Sequence, residues 1–590
     1  MSKKKILCLL LSSLMLVTTT ACSSNDKNEG AKGENKYTPG VYTINTNGMK
    51  GEMVVDVTFD ETSITDVKVV NHKETYGIGY GLDTTPIETI PGKIVETQSL
   101  DVDTVTGATL TSKFLIGAVK QAVTEAGGAP ENLADIEDAK GEDQTYDVDV
   151  VVVGGGVAGL SAAIEAAEGG ADVLVLEKQG IVGGATTRSG GKLMANGTEF
   201  QKSEGIEDSN DQMFSYLKEV GGDLIDDEKL SKFVDNSLDT FNWMTEMGVE
   251  VQDVEPIHSS LKPWRVHNTK GGGGMTDGHG GQIIVPMMNK YKEVDGDIIY
   301  NVTANELLTN DNKEVVGVKA TAKDGSTVTV NAKTVILATG GYASNKEMMA
   351  RYADFTEGYS TQVPAGNVGD GITMAEAVGA QIFDSPSAQT VYVSYTSGVG
   401  INEEAGLIVS EDGKRFVNEY TYQYHVGDKM TKENSSLGYY IATANDPTPT
   451  VQYAMTLEDT PSAASIEELA ELIDLDPATL KATVDRYNEL CAKGVDEDFG
   501  KPSDKMYPIE GEKYYAIKLN PAVTVTFGGI VTDLESRVLD ANNNPIKGLY
   551  AAGETAFEGL FGTEYPGCGL AISAGSFYGR IAGQNAANEK

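Results

Sequence analysis

An α/β protein built on a dinucleotide-binding sheet is predicted for this chain by three stretches. In "DVDVVVVGGGVAGLSAAIEAAEGGADVLVLEKQ" an apolar strand meets Gly154-x-Gly156-x-x-Gly159, then a helix of small residues including Ala158, then a second strand ending at Glu177 and Lys178. "KTVILATGGYASN" supplies another apolar strand, returning through Gly340 and Gly341. "IKGLYAAGET" supplies a last one, closing on Glu554. In such a motif one glycine makes the tight turn, one lets backbone approach a pyrophosphate, and one lets the helix pack close on the strand. The carboxylate ending the second strand takes a ribose hydroxyl. The glycine motif alone is weak evidence; with strand, helix, second strand and terminal carboxylate all in order it is strong.

Bulk properties narrow the class. The 590 residues exceed one small domain, so two to four domains are expected. A 40% hydrophobic content with 67 glycines suits a globular α/β protein. The net charge of −41 argues against nucleic acid, because phosphate binding needs a basic face.

The opening "MSKKKILCLLLSSLMLVTTTACSSNDKNEG" has a basic start, an apolar run and then Thr-Thr-Ala-Cys, the pattern of a secretory signal. It resembles a bacterial lipoprotein signal, which implies a lipid on Cys22 as the mature N-terminus and an extracytoplasmic, membrane-anchored protein. Thr19 departs from that pattern, which has leucine three places before the cysteine. Plain secretion, with Cys22 incidental, is the alternative. Only Cys491 and Cys568 remain in the mature body, so neither a disulfide framework nor a cysteine-held haem or iron–sulfur cluster is expected. No metal site is expected either: His267 and His279, in "KPWRVHNTKGGGGMTDGHGGQI", lack neighbouring ligands. Trp264 in that stretch is a candidate to line a pocket.

Residues 23–36 read as a polar tether and 37–128 as a first domain: alternating strand patterns, then a polar loop entering an amphipathic helix. Asp103-Thr104-Val105-Thr106-Gly107-Ala108-Thr109 makes this unit resemble the small FMN-binding domain of bacterial respiratory flavoproteins. That resemblance implies FMN esterified by a dedicated transferase to a threonine of the box, Thr109 first and Thr111 in reserve. The following helix would point its N-terminal N–H groups at the phosphate. Residues 129–146 read as an acidic linker.

From 147 onward the boxes come in the order of the fumarate reductase/flavocytochrome c family of FAD-dependent oxidoreductases, which the chain resembles. "GIVGGATTRSGGKLMANG" is similar to the isoalloxazine-contacting loop, "AGNVGDGITMAEAVGA" carries the family's Gly-Asp-Gly, and "GLAIS" opens the last helix. The resemblance implies non-covalent FAD held by Gly154, Gly156, Ala158, Gly159, Glu177, Lys178, Gly184, Ala185, Thr186, Gly190, Gly191, Ala304, Gly340, Gly341, Asp370, Glu554, Leu570, Ala571 and Ile572. It implies a two-dinucleotide-binding-type FAD domain (147–384 and 519–590) interrupted by an α+β clamp domain (385–518) that closes over substrate, all preceded by the small α+β FMN-binding domain.

A fumarate reductase binds two carboxylates with arginines and histidines in fixed places. Here the place eight residues after Arg415 holds Gln423, the places before Thr-x-Gly-Gly hold Thr524 and Val525, "SAQTVYVS" lacks a histidine, and Pro566 stands where the last arginine belongs. A buried carboxylate without a charged partner costs several kcal/mol, so a dicarboxylate is disfavoured. Tyr565-Pro566-Gly567-Cys568-Gly569 instead resembles the turn of the 3-ketosteroid dehydrogenases, another branch of the superfamily. That resemblance implies a ketone oxygen held by the Tyr565 hydroxyl and the Gly569 N–H, an oxyanion-type site at a helix start. Hydride from FAD would reach the β-carbon of an α,β-unsaturated ketone, and a second group would protonate the α-carbon. That branch's clamp tyrosine falls at Gln423, so Tyr422 and Tyr424 are the candidates, with Tyr392 and Tyr395 behind them.

The expected activity is reduction of an enone, steroid-like or otherwise bulky, with electrons relayed through FMN from a membrane donor. One alternative is an unsaturated carboxylate reductase (fumarate, urocanate or cinnamate type) using Arg188 or Arg265; the other is a flavin electron-carrier lipoprotein without its own substrate.

Overall fold

The computed structural model describes residues 35–136, 140–256, 262–271, 279–383, 385, 388–394, 406–421, 423–432, 437–562 and 564–589. Cys22, Tyr395 and Tyr422 lie outside the described residues, as does the side chain of Tyr392.

The first unit is an antiparallel meander of Gly40–Gly48, Gly51–Phe59 and Ile64–Asn71. Alternation along the middle strand points Met53, Val55, Val57 and Phe59 inward. Helices Pro86–Thr97 and Thr109–Glu125 cover that face through Ile90, Ile94, Leu115, Val119 and Ala122.

The second unit is an eight-stranded sheet. Its centre is parallel: Val153 of Gln144–Val153 lies beside Leu176 of Val173–Leu176 and Leu337 of Thr327–Leu337, and Leu337 lies beside Ala551 of Pro545–Ala551. Val150–Val153 are all buried, as a strand covered on both faces requires. The helix Val157–Glu168 packs against the C-terminal helix Leu570–Asn588 through glycines. A Cβ on Gly579 would fall 2.3 Å from the Ala158 carbonyl oxygen and one on Gly583 2.2 Å from that of Ala162. The strand Gln144–Val153 starts inside the stretch expected to be linker. Gln144, Thr145 and Tyr146 pair with Val328, Thr329 and Val330, and their polar alternation hid them in an acidic run.

The third unit is a sheet of Ala388–Ser394, Leu407–Ser410, Gly438–Thr443, Ser462–Ala463 and Tyr514–Thr526, joined by Ser360–Thr361. Tyr514–Thr526 runs unbroken across the boundary expected at 518/519, and Ser360–Thr361 joins the sheet from well before 385. Arg415 is buried there between Glu419 and Asp496, with Nη2 2.8 Å from a carboxylate oxygen of each.

The first unit docks on the second along two segments: Leu82 enters the second unit's core with Tyr76 and Gly77 close against Gly281, and the turn at 105–108 meets residues 180–188. Gly180 N–H donates to the Thr106 carbonyl oxygen at 3.1 Å, and Arg188 Nη2 to that of Gly107 at 3.3 Å. Val105, Ala108 and Ile181 form a small buried cluster with Ile78 against it, and Lys323 pairs with Asp103. No helix among the described residues is long and apolar enough to cross a membrane.

Candidate active site

A cleft with roughly 1720 Å³ of atom-free space opens at the carboxyl ends of Gln144–Val153, Val173–Leu176, Thr327–Leu337 and Pro545–Ala551, where open α/β sheets bind ligands. The glycine turn forms its floor. Gly154 has φ +105°, and a Cβ there would fall 2.4 Å from the Ala338 carbonyl oxygen. Gly156 caps the helix Val157–Glu168, and nothing lies within 4 Å of where its Cβ would be. That open cradle, at a helix N-terminus, fits a pyrophosphate. Ala158 also faces the cleft.

Glu177 is buried at the strand end, accepting from Gly155 N–H at 2.8 Å and Gln179 N–H at 2.7 Å. Burial raises its carboxyl above the usual range. One backbone donor per oxygen leaves lone pairs for a ribose. Lys178 and Asp370 both line the cleft and pair at 2.7 Å. Gly184, Ala185, Thr186, Gly190, Ala304, Gly340, Ala571 and Ile572 line it as well. Glu554 does too; it accepts from Thr526 N–H at 2.8 Å, Thr526 Oγ1 at 2.9 Å and Asn367 Nδ2 at 3.3 Å, and burial pushes its carboxyl up.

Four expected FAD contacts stand behind the wall instead. A Cβ on Gly159 would fall 1.9 Å from the Gly154 carbonyl oxygen, so it spaces helix from strand. Gly191 packs on the His279 backbone (2.6 Å) and Gly341 on the Glu554 carboxylate (2.3 Å) by the same measure. Leu570 is buried at the start of the C-terminal helix and does not reach the cleft.

At the FMN box, Thr109 is the first residue of Thr109–Glu125 and half-buried, behind Gly107 with φ +98°. Thr111 is buried and its hydroxyl donates to Glu74. The helix N-terminus and the accessible hydroxyl therefore coincide at Thr109, which fits an esterified phosphate; Thr111 is occupied.

The substrate end lies where the C-terminal helix begins. Tyr565 is buried, and its oxygen accepts from Ala571 N–H at 3.0 Å, leaving its O–H as a donor at the cleft. Gly569 caps the helix at φ +85°, with a Cβ position only 2.7 Å from the Leu193 backbone, and its N–H has no acceptor among the described residues. Phe527, Phe561 and Tyr565 stack at centroid spacings of 5.3 and 5.5 Å, and Tyr424 meets Tyr565 edge-on at 5.0 Å. Burial raises both phenols, Tyr424 well above the ordinary value, so both are neutral donors near neutral pH.

Tyr424, on the clamp helix Gln423–Lys432, lines the cleft, whereas Gln423 is buried and does not. A close approach turns the helix this way: a Cβ on Gly427 would fall 2.5 Å from the Thr390 carbonyl oxygen. Arg265 is removed from contention as a substrate clamp. Its Nε and Nη2 hold Asp208 at 2.7 and 2.8 Å, both side chains are buried, and it does not line the cleft; nor does Trp264. Arg188 is the one arginine lining the cleft among the described residues. Thr524 and Val525 line it where the family has histidine.

Sequence reasoning missed Lys192, Gln389, Phe557 and the contact of Cys568, all in the wall. Lys192 follows Ser-Gly-Gly directly, and that adjacency was its available signal. Among the described residues no group of histidines, cysteines and carboxylates is arranged to hold a metal.

Residues 149–572 match the family model described as FAD binding domain, and 48–124 the FMN-binding domain. The chain is 33% identical over 587 residues to the urocanate reductase of Eggerthella lenta, covering 95% of this chain and 93% of that one. It is similar to the open conformation of a flavocytochrome c3 fumarate reductase (TM-score 0.65, 28% identity, 78% of this chain and 83% of that one). It is equally similar to the 3-ketosteroid-Δ4-(5α)-dehydrogenase of Rhodococcus jostii RHA1 in complex with 4-androstene-3,17-dione (TM-score 0.64, 28% identity, 76% and 100%).

Proposed function

The chain belongs to the fumarate reductase/flavocytochrome c superfamily of FAD-dependent oxidoreductases acting on carbon–carbon bonds, with an FMN-binding domain ahead of it, and from that premise we propose that it reduces an α,β-unsaturated ketone. The observation that carries this reading is the pair of donors at the start of the C-terminal helix. Tyr565 and Gly569 line the cleft, each with a donor available, and Pro566 lies between them in the chain where a dicarboxylate enzyme would need arginine.

Bound in the cleft, FAD would supply the hydride, and FMN esterified to Thr109 the electrons that replenish it. Tyr565 and Gly569 bind the carbonyl oxygen and stabilise the negative charge that grows on it. The stacked Phe527, Phe561 and Tyr565 rings back that pair and exclude water, which strengthens each donor. Tyr424 protonates the carbon beside the carbonyl. We further propose that Cys22 carries a lipid and that a membrane donor reduces the FMN, which a dedicated transferase attaches.

Arg188 at the cleft and the urocanate reductase likeness favour a second reading, reduction of an unsaturated carboxylate. Chemically reduced protein carrying both flavins separates the two. Reoxidation by enones but not by urocanate, fumarate or cinnamate is the expected result; the reverse pattern overturns the enone reading. Tyr565→Phe should slow enone reduction about 10²-fold at unchanged FAD content.

A further inference from the structure

We propose that Cys568 relays the proton Tyr424 delivers to substrate, drawing it from solvent through a transient thiolate. This rests on Tyr424 as the proton donor, but not on the acceptor being a ketone.

Three observations carry it. The Tyr424 hydroxyl lies 3.0 Å from Cys568 Sγ, a hydrogen-bond distance for sulfur. Both groups line the cleft, and so does Lys192, on the strand Lys192–Met194 that packs against the C-terminal helix. Tyr424 is buried, while Cys568 is half-buried and so nearer water.

The chemistry needs such a partner. When the Tyr424 O–H breaks and the new C–H forms, a phenolate is left in a buried site. Burial, the largest influence, holds this phenol well above its ordinary value, so the phenolate must be reprotonated before the next turnover. Thiols ionise near about 8.5 and phenols near about 10, so transfer from S–H to phenolate runs downhill. The S–H bond breaks, the O–H re-forms, and the thiolate takes a proton from water entering the cleft. The electron pair travels separately, as the hydride. Lys192, on the same cleft wall, pairs with Glu255 and stays cationic although burial works against its ammonium.

The test uses the full chain loaded with both flavins, reduced, and mixed with whichever of an enone, urocanate or cinnamate reoxidises the wild type fastest. Cys568→Ala should slow reoxidation at least about ten-fold, and Cys568→Ser should recover part of that loss. FAD content and acceptor affinity, read from flavin absorbance on titration, should stay at wild-type values. The alkaline limb of the rate–pH profile should move upward in Cys568→Ser, because a hydroxyl does not ionise in that range; a packing role would leave it in place. Wild-type rates in Cys568→Ala, or an unmoved alkaline limb in Cys568→Ser, overturn the relay. If Cys568→Ala loses FAD, Cys568→Ser decides alone. Every such acceptor needs a proton on its second carbon, so a wild type inert to enones yet active on urocanate sinks the ketone reading and leaves this test standing. Inertness to all three overturns both.

Discussion

Arg265 holds Asp208 through two short hydrogen bonds, with neither side chain reaching solvent. Removing the carboxylate would strand a buried guanidinium at a cost of about 3–5 kcal/mol. Two residues on, His267 is buried between Thr198 Oγ1 (2.8 Å from Nε2) and the Arg265 carbonyl oxygen (3.0 Å from Nδ1). Burial lowers its pKa from 6.5 to about 4. Between those values an unfolded chain binds a proton that the folded chain refuses. Stability is therefore unaffected by this group above about pH 6.5 and falls as pH drops toward about 4, by up to ~3 kcal/mol. Urea denaturation at about pH 7 and about pH 4.5 should show that loss, and His267→Gln should remove most of this share; an equal pH dependence in the variant would refute the assignment.

The helices Val157–Glu168, Thr109–Glu125 and Leu570–Asn588 each begin at a candidate ligand site, and each does so behind a small residue. Gly156, Ala108 and Gly569 are their caps, and none offers a side-chain cap to the first N–H groups. At the first two helices those donors are left for a phosphate, while at the third Ala571 N–H is taken by the Tyr565 oxygen and the Gly569 N–H remains for a developing oxyanion. The sequence marked all three starts, since turn glycines and helix periodicity are local. The choice between Thr109 and Thr111 depends on Glu74, 37 residues away, which occupies the Thr111 hydroxyl. Thr109→Ala should abolish covalent FMN while Thr111→Ala retains it, read by mass spectrometry of the 100–113 peptide. Flavin persisting in Thr109→Ala would move the bond.

Across the whole molecule, the turn bearing Thr109 rests on the segment joining Glu177 to the loop 184–191 that faces the FAD cleft. Gly180, Ile181 and Arg188 all touch it. Ile181 is the apolar centre of that contact, so a charge there should loosen it. Ile181→Asp would place a carboxylate against Val105 and Ala108. In that variant a chemical donor should still reduce the FMN, while FAD reduction slows; unchanged FAD reduction would show the contact to be incidental. The clamp meets the substrate end similarly: Tyr424 touches Tyr565 and Cys568, and neighbouring His425 lies 3.7 Å from Glu564.

The dinucleotide sheet and the FMN unit ahead of it were legible in the chain alone. Those features lie in contiguous runs whose chemistry is set by neighbours in the chain. The sequence named Tyr422 and Tyr424 together as neighbours of Gln423, because which of them faces the cleft depends on the roll of the clamp helix, set by how Gly427 packs against Thr390 in another strand. It could not remove Arg265, whose partner Asp208 lies 57 residues earlier. Nor could it tell a glycine that meets the ligand from one that meets the wall: Gly156 faces open space and Gly159 a carbonyl oxygen. Burial and partnership settle these points, and both are properties of space that neighbours in the chain do not specify.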